Sequence, residues 1–216
     1  MAKVAVILSG CGVYDGSEIN EVVISLLALE ENGIEYKCFA PKIDQFHVVN
    51  HISGDVIEQR RNVLIESARI VRGNISDIEE INISEFDGIF IPGGFGVAKN
   101  LSNFASAGDS FEVNSLVSDT IKQFYQREKV IVALCISPVV IAKLIGNGVN
   151  LTIGTDLATA NVINKVGGEH VKCNVEDICY DTNHKVLTTP CYMLGNNLVE
   201  IKNGIYKLVA KLKNIL

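Results

Sequence analysis

Apolar and polar residues alternate along this chain in two registers. Short runs rich in Val and Ile occupy residues 3–8 (KVAVIL), 34–39 (IEYKCF), 85–91 (EFDGIFI) and 130–134 (VIVAL). Runs of that length and composition predict strands buried on both faces of a parallel sheet. Between them the apolar positions recur at helical spacing. Ile19, Val22, Val23, Leu26 and Leu27 share one face, as do Val113, Leu116, Val117, Ile121 and Phe124. A third helical run covers Val139 to Leu144, and a last helix is expected from about residue 196, with Leu198, Ile201, Ile205, Leu208 and Leu212 along its stripe. Strands alternating with helices imply βαβ units, hence an α/β fold with a mostly parallel sheet covered on both sides.

The chain has 216 residues, 48% hydrophobic and 20% charged, with a formal net charge of -6. That suits one domain over residues 1–216 with a full hydrophobic core. No linker, repeat or low-complexity stretch divides it. No apolar run approaches the roughly 18 residues of a membrane-spanning helix. Met1-Ala2-Lys3 leads straight into Val4–Leu8 without the features of a secretory signal, so a soluble, cytoplasmic protein without membrane partners is expected. An acidic chain lacking a basic stripe is a poor match for nucleic acid. Six cysteines are scattered through it: Cys11, Cys38, Cys135, Cys173, Cys179 and Cys191. They have neither the context of a disulfide framework nor the close pairing of a zinc site, so free thiols and no metal are expected.

All four prolines, Pro41, Pro92, Pro138 and Pro190, fall at or just past the end of an apolar run. In open α/β sheets that edge is where ligands bind. After the first strand, Ser9-Gly10-Cys11-Gly12 begins like a dinucleotide fingerprint, but Asp15 replaces the third glycine and the second strand ends in Phe39-Ala40-Pro41 without a ribose-binding acid. Ser17 with Glu18 and Glu21 reads instead as a helix cap and an acidic first turn. Gly93 and Gly94 follow a strand, where they either aim N–H groups at an anion or simply make a tight turn. Cys135 lies between the 130–134 strand and the next helix. There the helix dipole favours a thiolate nucleophile, while a buried structural cysteine is the alternative.

Together, the glutamate helix after the first strand, the Pro-Gly-Gly turn and the cysteine elbow resemble the class I glutamine amidotransferase-like superfamily and its ThiJ/PfpI branch. The likeness is stronger to the ElbB-type, glyoxalase-like proteins labelled as isoprenoid biosynthesis proteins. It is carried by VILSGCGVYDGSEINE (6–21), CFAP (38–41), VNHISG (49–54), RNVLIESARIVRG (61–73), IPGGFGVAKNLSNFA (91–105), LTIGTD (151–156), GGEHV (167–171) and TTPCYML (188–194). The resemblance implies a flavodoxin-like three-layer α/β/α sandwich, a homodimer and chemistry without cofactor or metal. It implies Cys135 as nucleophile, Glu21 as its carboxyl partner with Glu18 as the rival, and Gly94 with the N–H of Ile136 as oxyanion donors. Gly93, Lys99 and Asn100 are candidates for the pocket, and His51 and His170 lie in family-like motifs. Relatives with His directly after the nucleophile are not matched, because Ile136 stands there, so a Cys-His hydrolase triad is disfavoured.

The activity implied is conversion of glyoxal or a similar small dicarbonyl to a 2-hydroxy acid such as glycolate, a lyase reaction. Two other readings remain: a redox or carbonyl sensor, in which Cys11 resolves an oxidised Cys135, and a non-catalytic regulator linked to isoprenoid metabolism. His47, His184 and the Arg60, Arg61, Arg69, Arg72 segment read as surface features.

Overall fold

The computed structural model describes residues 1–216. The elements in chain order are β1 (Lys3–Ile7), α1 (Ile19–Glu31), β2 (Glu35–Ala40), α2 (Val63–Ile70), β3 (Ile75–Asp77), β4 (Gly88–Ile91), α3 (Phe104–Ala107), α4 (Ser115–Gln126), β5 (Val130–Leu134), α5 (Pro138–Ile145), β6 (Val149–Leu151), α6 (Leu157–Lys165), β7 (Gly168–His170), β8 (Cys179–Asp181), β9 (Val186–Thr189) and α7 (Leu198–Lys213). Seven strands form one sheet in the order β3-β2-β1-β4-β5-β9-β8, parallel except for the antiparallel β8–β9 pair. The remaining β6 and β7 pair in parallel as a separate ribbon. The fold is the flavodoxin-like α/β sandwich expected.

Alternate residues of the central strands feed two cores, one on each face. Ile89 and Ile91 of β4 and Ile131 and Ala133 of β5 pack with Phe111, Phe124 and Ile141 on one side. Phe90, Val132 and Leu134 pack with Val22, Leu29, Ile205 and Leu208 on the other. This two-sided burial explains the continuous apolar runs. From β1 the chain crosses to β2 in one direction and later returns to β4 in the other. The crevice between β1 and β4 is therefore the switch point of the sheet, where strand ends diverge and leave room for a ligand.

Several local expectations change. Residues 85–87 lie outside β4, because Ile83–Glu85 forms a 3-10 turn capped by Asn82. Val113 lies outside α4 and bridges to Ser102 instead. Of the two readings of the basic segment, a solvated or a salt-bridged helix face, the second holds for Arg61 and Arg69, which both reach the buried carboxylate of Glu66, at 3.6 and 2.9 Å. His184 is also more than a surface residue: its Nδ1 lies 2.8 Å from Asp181, which in addition accepts the N–H groups of Asn150, Asn183 and His184.

Candidate active site

The loop after β1 is folded back on itself, with Gly12 N–H donating to the Ser17 carbonyl at 2.9 Å and Gly16 N–H to the Gly12 carbonyl at 2.7 Å. Gly10 and Gly12 take φ of +118° and +123°, which only glycine adopts readily. The partial fingerprint is thus explained by loop closure. Ser17 does not cap α1: its hydroxyl accepts the N–H of Ser9 at 2.8 Å, tying the loop to the strand end. The cap is Glu18, whose longer side chain reaches forward to accept the Glu21 N–H at 2.6 Å. Its own N–H donates to the Gly93 carbonyl at 3.0 Å, which locks the start of α1 against the glycine turn.

That anchoring turns Glu21 inward. It is fully buried, with Oε2 accepting the N–H of Gly93 at 2.9 Å and Oε1 accepting the N–H of Tyr192 at 3.3 Å. Its carboxyl lies beside the Cys135 thiol, close enough that a carbon added at Gly93 would meet both Oε2 and Sγ. Burial first, and the nearby Glu18 second, push Glu21 up to about 8.

Cys135 has a left-handed backbone, φ +60°, the strained turn that projects a side chain from the tip of a strand. Its N–H donates to the Thr189 carbonyl of β9 at 3.0 Å, and Ser137 Oγ donates to the Pro92 carbonyl at 2.7 Å, so the elbow is held from both neighbouring strands. The N–H groups of Gly94 and Ile136 point to the sulfur. The expected depressed thiol pKa is not what this setting produces. Burial and then the charge of Glu21 raise Cys135 well above its ordinary value and outweigh those two donors. The resting pair carries its protons.

Gly93 and Gly94 are required by this closeness. A side chain on Gly93 would place its first carbon 2.6 Å from Glu21 Oε2 and 2.8 Å from Cys135 Sγ. Gly94, at φ +103°, lies against the backbone of Gly16, Ser17 and Glu18.

Above the pair opens a cavity of about 280 Å³. Glu18, Gly94, Cys135 and Ile136 form its polar floor, while Val13, Phe95, Ala98, Phe104 and Met193 are prominent in its apolar walls, with Tyr192 at one side. A chamber with apolar walls and convergent hydrogen-bonding groups at its base fits a small organic ligand.

The other expected pocket residues are placed elsewhere. Asn100 is a strut: its Nδ2 donates to the carbonyls of Ser9 and Asp15, both at 2.8 Å, and its Oδ1 accepts the N–H of Phe46 at 2.9 Å. Lys99 lines a neighbouring cavity. His51 braces the β1 loop, with Nε2 accepting the Tyr14 N–H at 3.2 Å and Nδ1 donating to the Val49 carbonyl at 3.0 Å. His170 ends β7, accepts the Ile153 N–H at 3.4 Å, and is held below its usual pKa by burial. Cys11 feels Glu66, Arg69, Asp15 and Arg61 as its charged neighbours, not Cys135.

Cys191 is the thiol beside the pair: burial first, and then the charges of Glu21 and Cys135, raise it well above its ordinary value. It is 1% exposed, at φ +46°, just after β9. Tyr192, the next residue, supplies both a donor to Glu21 and a wall of the cavity. Neither residue was singled out from the sequence, although both lie in the Pro190 strand end; their place at the site follows from the parallel pairing of β5 with β9.

A buried carboxyl–thiol pair at a strained elbow, on the switch-point edge of a flavodoxin-like sheet, defines a class of cysteine-centred α/β proteins. This chain belongs to the DJ-1/PfpI family, whose model matches residues 3–188. It is 42% identical over 97% of its length to a human (Homo sapiens) protein, glutamine amidotransferase-like class 1 domain-containing protein 3, mitochondrial, of which 82% is covered. It is 27% identical over 88% of its length to the ES1 protein, mitochondrial, of Danio rerio, with 77% of that protein covered. Among solved structures, the isoprenoid biosynthesis protein with amidotransferase-like domain from Ehrlichia chaffeensis superposes with a TM-score of 0.93 at 39% identity, covering 99% of each chain. The expectation of a cytoplasmic protein is overturned by these mitochondrial relatives. A compartment is addressed by receptor-read segments, and the absence of a secretory pattern carries no information about them.

No helix is long and apolar enough to cross a membrane. No group of three or more His, Cys, Asp or Glu side chains is arranged to hold a metal ion.

Proposed function

We propose that the protein is a cofactor-independent, cysteine-dependent glyoxalase-like enzyme, one domain over residues 1–216, that converts glyoxal or a similar small dicarbonyl to a 2-hydroxy acid. The observation that carries this reading is the buried Glu21 carboxyl beside the Cys135 thiol, which lines the base of a largely apolar cavity. Such a carboxyl, with a pKa of about 8, exchanges protons in both directions near neutrality.

In the proposed reaction, ionised Glu21 takes the thiol proton as the sulfur bonds to one aldehyde carbon. The C=O π pair moves to oxygen, where the N–H groups of Gly94 and Ile136 are at hand. Glu21 returns the proton to that oxygen and leaves a neutral hemithioacetal. The carboxylate then removes the C–H proton from the sulfur-bearing carbon, giving an enediolate, and delivers it to the neighbouring carbon. The hydroxyl proton passes to the other oxygen, leaving a thioester of glycolic acid on Cys135. Water displaces the sulfur, restores the thiol and releases glycolate. One glyoxal and one water give one glycolate and one proton, so no redox partner is consumed. With burial keeping Glu21 mainly protonated at pH 7, turnover is expected to be slow and to rise towards pH 8.

A sensor needs an exposed thiol of low pKa, whereas Cys135 is 7% exposed and raised; turnover is the better-supported reading. A homodimer accompanies it, supported by the exposed apolar side chains of Val23, Leu27, Leu198 and Val199 on α1 and α7. The test is NMR of carbon-13 glyoxal incubated with the wild type, Cys135→Ser and Glu21→Gln. Labelled glycolate is expected from the wild type, none from the serine variant, and at least about a hundredfold less from Glu21→Gln. Equal rates from all three, or none from any, would overturn it.

A further inference from the structure

Phe95, which walls the cavity over Cys135, also walls a second one. A second cavity of about 410 Å³ opens beyond it, lined in part by Tyr14, His47, Val49, Val56, Phe95 and Lys99. The two chambers share their partition residue by residue: Phe95 belongs to both, Val13 faces the first and Tyr14 the second, and Ala98 faces the first and Lys99 the second. The partition is fixed in place, because the Phe95 N–H donates to the Val13 carbonyl at 2.8 Å.

The second chamber differs in chemistry. Lys99 Nζ lies 5.3 Å over the Phe95 ring and donates one hydrogen bond, to the Tyr14 carbonyl at 2.7 Å, which leaves two of its protons for a ligand. Asp15 is the acid whose charge reaches it, and one Asp15 oxygen is already held by the Val49 N–H at 2.7 Å. The Nδ1 of His47 is sealed from solvent and has no hydrogen-bond partner. A lysine ammonium with unused donors, in a cavity that shares the Phe95 wall with the cavity over Cys135, is half of a recognition site for an anion.

We propose that this chamber holds the anionic end, a carboxylate or phosphate, of the same substrate whose carbonyl meets Cys135. The substrate class is then an aldehyde or 2-oxoaldehyde bearing an anionic group on a short chain laid along Phe95. Glyoxal itself is too short to use the second chamber. The inference rests on the proposed function only in placing the carbonyl at Cys135.

Alkylation of Cys135 tests it without requiring turnover. Three probes are compared by intact-protein mass spectrometry at low ionic strength: N-propyl-iodoacetamide, its 3-carboxypropyl analogue and its 3-phosphonopropyl analogue, with Cys135→Ser as the blank. At least one charged probe is expected to label Cys135 about tenfold faster than the neutral one, a ratio at the low end for one charge-assisted hydrogen bond; the faster of the two identifies the anion. The preference is expected to disappear in Lys99→Met and in Lys99→Gln, which removes the charge but keeps a donor for the Tyr14 carbonyl, and to shrink in 0.5 M salt as about one Debye length shortens. Equal labelling by all three probes in the wild type, or a preference that survives both Lys99 substitutions, would overturn the proposal. Absence of glyoxal turnover would count against the reaction proposed above and leave this result standing.

Discussion

Glu21 is where the proton inventory of the protein concentrates. Burial pushes its carboxyl from an ordinary 4.5 up to about 8, so the folded state binds the proton more tightly. For an acid shifted upwards, the stabilising contribution is complete below pH 4.5 and is lost progressively as pH rises to about 8. From pH 5 to 8 the wild type is expected to lose about 4 kcal/mol relative to Glu21→Gln, as an upper figure for a fully buried group. Urea midpoints of the two proteins at pH 5, 6.5 and 8 check this; parallel curves would contradict it. Gly93 offers a second, steric test. Gly93→Ala drives a methyl into both members of the pair, and is expected to destabilise by about 1–3 kcal/mol and to abolish labelling of Cys135 by iodoacetamide. Gly73→Ala is the control: its φ of +82° carries backbone strain, but nothing lies within 4 Å of the added carbon, and Cys135 labelling should be retained.

Between elements, the site is held by connections that no single segment encodes. Asn100 ties the end of β1, the loop before α1 and the segment at Phe46 with three hydrogen bonds. Asn100→Ala strands two carbonyls and one N–H, and about 2–4 kcal/mol of stability is expected to go with them, read from denaturant unfolding. The long apolar runs made β1, β2 and β5 legible, and the period of 3.6 did the same for α1 and α7. The three-residue strands β3, β6, β7 and β8 left no comparable mark, since a segment that short shows neither alternation nor a continuous apolar run. The same division runs through the site. Cys135, Gly93 and Gly94 stand at strand ends where chemistry and a plain structural role look alike, and only the family resemblance singled out Cys135 and paired it with Glu21. Cys191 and Tyr192 reach the pair through β9, which is inserted beside β5 from far along the chain. Lys99 and Asn100 show the converse limit. They follow the glycine turn in sequence, yet the π-helical turn of Val97–Leu101 directs one to the neighbouring cavity and the other into the loop scaffold.

At the scale of the whole molecule, the most conspicuous unpaired surface lies on the α1–α7 layer rather than at the site. The groove between these helices, about 370 Å³, is lined by Val23, Ile24, Leu27, Leu198 and Val199, with Asn20 and Lys202 among its polar residues. Leu198 and Val199 are 54% and 65% exposed at the very start of α7, where a lone monomer gains nothing from apolar side chains. A second copy of the chain, meeting this face with its own, would bury both sets at once, as a twofold contact does. The surface is also continuous with the chemistry: Asn20 Nδ2 donates to the Tyr192 hydroxyl at 3.3 Å, and the Tyr192 N–H donates to Glu21. Covering the groove would therefore steady one wall of the cavity over Cys135. Light scattering of the wild type at micromolar concentration is expected to give twice the 23.5 kDa chain mass. Leu198→Lys combined with Val199→Lys should return the single-chain mass with an unchanged circular dichroism spectrum, since both side chains face outward. A wild type that runs as a monomer, or a double variant that stays dimeric, would remove α1–α7 as the contact face and leave its exposed apolar side chains without a partner.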